Sequence, residues 1–67
     1  MSLDELKELC AERGLLVVRA TRPGCSELPA VVVRARVDNH RLANLPAGLC
    51  ARPAGTAYTV IQVEDGT

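Results

Sequence analysis

Residues 2–15 carry the start signal, the stop signal and the buried stripe of one amphipathic helix, and this constrains the fold more than any other feature of the chain. In Ser2-Leu3-Asp4-Glu5 the Ser2 hydroxyl is placed to accept the Glu5 N–H, and the Glu5 carboxylate can reach back to Ser2, which is the reciprocal pattern of a capping box. Asp4 and Glu5 sit at the positive end of the helix dipole and Arg13 at the negative end. Leu3, Leu6, Leu9 and Cys10 recur at three- and four-residue steps and form one apolar stripe, while Lys7, Glu8, Ala11 and Glu12 fall on the other face. Gly14 suits the left-handed backbone that ends a helix, with Leu15 folding back onto Cys10. The spacing predicts a helix over residues 3–13, and its single stripe needs an apolar surface to cover.

The remainder of the chain reads as strands. Leu15–Thr21 is rich in β-formers and too short for a second helix. Pro23-Gly24 marks a turn within residues 22–29. Pro29 then opens a predicted strand, Ala30–Asp38, in which Val31, Val33, Ala35 and Val37 alternate with Val32, Arg34, Arg36 and Asp38. Asp38 or Asn39 can cap a short helical turn through His40, Arg41, Leu42 and Ala43, which Pro46 would end. Leu49–Arg52 reads as a short strand, turning at Pro53-Ala54-Gly55, and Ala57–Glu64 as the last one. This order predicts an α+β fold in one domain over residues 1–67, with the N-terminal helix packed on one face of a three- to four-stranded antiparallel sheet. A small SH3- or Sm-like barrel with an N-terminal helix is the alternative. It would need glycines or bulges to bend its strands, and the predicted strands contain no Gly.

The helix segment Leu3–Leu15 resembles the opening helix of SAP-type DNA-binding motifs. In that motif a second, Lys-bearing helix follows the Gly-Leu step. Here a strand-type sequence takes its place, so no DNA-docking residue carries over.

Size and composition bear on partners. A chain of 67 residues buries only about 60% of the surface that its unfolded form exposes. The core must be built without Phe or Trp and with a single Tyr, although 48% of the residues are hydrophobic. Many small apolar residues and little interior point to a surface covered by a protein partner or by a second copy, as in a homo-oligomer. Eight basic and eight acidic residues cancel, so the chain lacks the long-range field of a dedicated DNA binder. Seven of the eight bases are Arg, a bias that fits a GC-rich bacterial or phage genome. The longest apolar runs, such as Val31–Val33, are too short to span a membrane. Three widely spaced cysteines and no N-terminal signal segment fit a reducing, cytoplasmic setting.

Three residue sets could carry chemistry. Cys10, Cys25, Cys50 and His40 offer the ligand types of a zinc site, but their spacings lack the close pairs of structural zinc motifs. Cys25 or Cys50 with His40 could form a nucleophile and base, yet nothing local lowers a thiol pKa. Neither set is taken as a metal, cofactor or catalytic site. The third set is basic: Arg34 and Arg36 share one side of the predicted strand 30–38, Arg19 can join them from the neighbouring strand, and Arg22 and Arg41 lie near the ends of that hairpin. Tyr58 is the one aromatic that could stack beside them. Cross-strand pairing with Glu27, Asp38 and Glu64 would account for these arginines without any ligand. The expectation is a small non-enzymatic protein-interaction module, an accessory, adaptor or inhibitor protein, acting through a sheet face or an edge strand. A weak RNA or DNA binder using the arginine face is the alternative.

Overall fold

The computed structural model describes residues 2–21 and 28–64. Helix α1 (Leu3–Glu12) is followed by strands β1 (Val17–Ala20) and β2 (Ala30–Val33), a 3-10 turn at His40–Leu42, and strands β3 (Leu49–Pro53) and β4 (Thr59–Val63). The strands form one open, wholly antiparallel sheet in the order β1-β2-β4-β3, and the helix lies on one face of it. This is the α+β architecture expected, with four strands and no barrel.

The helix forms as its local signals dictate. The Ser2 side chain accepts the Glu5 N–H at 3.3 Å. The Glu5 carboxylate takes the Ser2 hydroxyl at 3.2 Å, where the expected box would have used the Ser2 backbone. At the other end Leu15 N–H donates to Cys10 C=O at 2.8 Å and Gly14 N–H to Ala11 C=O at 3.0 Å. Gly14 has φ +73, so the pair of bonds is a Schellman ending. Leu6 and Cys10 are buried, with Leu3 partly buried beside them. They meet Leu15, Val31, Val33, Ala35, Leu42, Ile61 and Val63 in a core without a single aromatic ring.

Beyond the helix, several strand limits differ from the alternation in the sequence. The predicted strand Ala30–Asp38 stops at Val33, and Arg34 and Ala35 form a bend. Ala35 is still buried, and its carbonyl accepts the Thr59 hydroxyl at 2.7 Å, a bond that satisfies the buried Thr59 side chain. Past that point the alternation fails: Val37 is exposed and Arg36 pairs with Asp38 on the surface. Residues 39–52, ambiguous in sequence, divide into the 3-10 turn and β3. Asn39 caps the turn, its side chain accepting the Arg41 N–H at 2.9 Å. β3 begins at Leu49 and runs one residue further than expected, to Pro53. Pro is tolerated there because β3 is an edge strand whose outer side needs no ladder bond.

β1 contains the one irregularity in the sheet. Val17 lies opposite Val33 and Arg19 opposite Val32, so Val18 is the extra residue of a β-bulge. Without it, Val17 and Arg19 would share a face by period two. With it, Val17 stays against the core, Ala20 returns to the core side opposite Val31, and Arg19 is turned to the other face.

Candidate functional site

The face of the sheet away from α1 has no covering layer among the described residues. Its composition follows from the register. Val31, Val33, Ile61 and Val63 are buried against the helix, so Ala30, Val32, Val60 and Gln62 occupy the opposite face. Cross-strand partners lie on the same side of a sheet. Arg19 opposite Val32, and Arg52 opposite Val60, therefore extend one row across all four strands: Arg19, Val32, Val60, Arg52. The next row holds Ala30, Gln62 and Cys50. In the other direction Arg34 and Tyr58 stand beyond Val32 and Val60, each next to a buried residue of the helix side. Arg34 is held by its backbone N–H, which donates to Leu16 C=O at 2.9 Å.

The surface combines apolar groups with guanidinium groups. Leu16, Val18 and Tyr58 are exposed, by 60%, 47% and 39%. Arg19, Arg34 and Arg52 are exposed, and among the described residues none of them bonds a carboxylate. Of the compensating acids anticipated from sequence, the two that are described, Asp38 and Glu64, do not supply one. Asp38 pairs with Arg36 at 3.7 Å in solvent. Glu64 follows the end of β4, four residues from Val60 and so about 13 Å along the strand from the arginine row. Glu27 lies outside the described residues. Asp4, Glu5, Glu8 and Glu12 are exposed on α1, on the far side of the sheet. Among the described residues, four of the acids thus lie on the helix surface and Arg19, Arg34 and Arg52 on the outer sheet surface.

Register and alternation place Arg19, Arg34 and Tyr58 on the same face of the sheet, and Arg52 with them. The signal for Arg52 was its period-two relation to Cys50 within a strand whose partner was unknown. Arg36 is not part of the group, because β2 ends before it and it pairs locally with Asp38. Arg41 serves the fold: its Nη1 donates to Gly14 C=O at 2.9 Å. Arg13 completes that clasp, its Nη1 donating to Arg41 C=O and Ala43 C=O at 3.1 and 2.8 Å and its Nη2 to Asn44 C=O at 2.9 Å. Arg22 and Cys25 lie outside the described residues.

Among the described residues no group of three His, Cys, Asp or Glu side chains is close enough to hold a metal ion. Cys10 is buried on the inner side of α1, and Cys50 stands half-buried on the opposite face of the sheet, so the two thiols share no site. Burial pushes the Cys10 thiol above its ordinary 9.0, with Arg13 pulling weakly the other way. A broad depression of about 460 Å³ runs between α1 and β1, lined by Lys7, Ala11, Leu15, Val17, Val18 and Arg19. Its wall on one side is the bulged edge strand. No described helix is long and apolar enough to cross a membrane. Compared with protein families, curated proteins and solved structures, the chain matches none.

Proposed function

We propose that this chain is a non-enzymatic protein-interaction module whose working surface is the outer face of its sheet, covered in use by a partner protein or a second copy. The observation that carries this reading is the row Arg19, Val32, Val60, Arg52, with Arg34 and Tyr58 beside it by alternation. Apolar groups at the centre and guanidinium groups at the rim are the anatomy of a protein interface. A standard interface takes about 800 Å² from each partner, roughly a sixth of the 4667 Å² exposed here, so the whole outer face would be engaged. Cys50 provides the test. In a Cys25→Ser background, a photo-crosslinker on Cys50 should yield adducts in extract of the source cell that excess unmodified protein suppresses. The same crosslinker at Glu8→Cys, in a chain also carrying Cys50→Ser, reports the helix side. Equal adducts from both positions, or none from either, would defeat the proposal.

A second reading has its own observation. Arg19, Arg34 and Arg52 share the outer face with the only aromatic side chain, Tyr58, which suits weak single-stranded nucleic-acid binding. Affinity for a mixed oligonucleotide that is measurable at low salt and falls steeply as salt rises would favour it; no binding at low salt removes it.

A further inference from the structure

We infer that the outer sheet face receives an acidic amphipathic helix of a different protein, its apolar stripe on Val32 and Val60 and its carboxylates on Arg19 and Arg52, an inference that rests on the interaction-face reading above. The first ground is spacing. Arg19 and Arg52 stand in one row on the two edge strands, three strand spacings or about 14 Å apart, with only Val32 and Val60 between them. A helix with its side chains is about 10–12 Å across and fills that interval, with its flanks level with the two guanidinium groups. The second ground is charge. Arg19, Arg34 and Arg52 put three guanidinium groups on one face and bond no carboxylate of the described residues, so acidic flanks complement this surface. Bidentate pairing with carboxylates is the contact a guanidinium makes best.

The same observations rank the other occupants lower. Two copies packed sheet to sheet would bring two sets of Arg19, Arg34 and Arg52 together. A copy offering α1 instead has no apolar stripe left, since Leu3, Leu6 and Cys10 already face its own core. An added strand meets blunted edges: β1 carries the bulge at Val18, and β3 ends at Pro53, which has no N–H to offer. Nucleic acid finds aliphatic Val32 and Val60 at the centre, where stacking bases need aromatic rings.

The experiment is a selection of displayed helical peptides, randomised on both flanks of a fixed apolar stripe, against the whole immobilised chain at low salt. The expected result is enrichment of Asp and Glu on both flanks. Selected peptides should shift the amide resonances of Arg19, Val32, Val60 and Arg52 and lose about fivefold in affinity for each of Arg19→Glu and Arg52→Glu, variants of exposed residues that leave the fold intact. Enriched peptides that occupy the same face without acidic flanks would overturn the acidic-helix inference and leave the interaction face standing. Failure to enrich any peptide would overturn the acidic-helix inference alone, whereas peptides that shift only resonances of α1 would overturn both. Tighter binding of oligo-dT than of every selected peptide, or a dimer in sedimentation that buries Cys50, would also overturn the inference.

Discussion

The two faces of one sheet use almost the same residues for different ends. Toward α1 the sheet offers Val31, Val33, Ile61 and Val63; away from it, Val32 and Val60 stand among Arg19, Arg34 and Arg52. Neighbouring residues of one type therefore live in different dielectric surroundings. Val31 is 1% exposed and sealed by the helix, and Val32 is only half-buried. The helix side contributes most of the stability, because the fully buried side chains Leu6, Val31, Val33 and Ile61 lie there. The outer side keeps apolar area and guanidinium groups in solvent, where they contribute little to folding and remain usable for binding.

Leu6→Ala should break this asymmetry most strongly. It removes a fully buried side chain from the contact between helix and sheet, at a cost of about 2–5 kcal/mol. A chain of this length has only about 3–10 kcal/mol in total, so urea or thermal denaturation should show a chain close to unfolding. The clasp between α1 and the 3-10 turn comes next. Arg13→Ala leaves the carbonyls of Arg41, Ala43 and Asn44 without their donor and should lower stability by about 1–3 kcal/mol. An unchanged urea midpoint would show that water replaces the guanidinium at no cost.

The sharpest comparison is between neighbours. Val31→Thr puts a hydroxyl into the core and should cost about 1–3 kcal/mol, whereas Val32→Thr, on the outer face, should stay within about 0.5 kcal/mol. Equal losses would mean that the outer face is sealed in the free chain. The two thiols offer a further contrast. With Cys25→Ser in place, Cys50 should react with a thiol reagent in the native state, and Cys10 only after unfolding. The Cys10 thiol is held above 9.0 by burial, so the unfolded chain loses that proton first as pH rises. Stability is then fully present at neutral pH and falls as pH climbs past about 9, by a margin that Cys10→Ala abolishes. The smallest effect is expected for Arg34→Ala and Arg52→Ala, each within about 0.5 kcal/mol of the parent stability. If either loses more, that arginine belongs to the fold and the outer face forfeits part of its charge.

The ends of α1 were legible because their chemistry is local. Ser2 and Glu5 are three residues apart, and Gly14 and Leu15 close their bonds within one helical turn. The buried set of β4 was legible too, because Thr59, Ile61 and Val63 alternate without interruption. In β2 the alternation continues in the sequence past Val33 although pairing has stopped, since nothing local shows where the partner strand ends. Arg36 was therefore expected on a face that it does not share.

What the sequence determined by itself was a capped helix with one stripe to bury and enough alternating β-formers to bury it. These are properties of short segments, set by sterics, capping and side-chain period. Only the tertiary structure decided which arginines meet. One extra residue at Val18 turns Arg19 to the outer face, pairing of β3 with β4 carries Arg52 into the same row, and a carbonyl of the helix end holds Arg41 away from it. Register and bulge are settled by the joint burial of the strands, the helix and Leu42 in one core, a condition that no single segment contains.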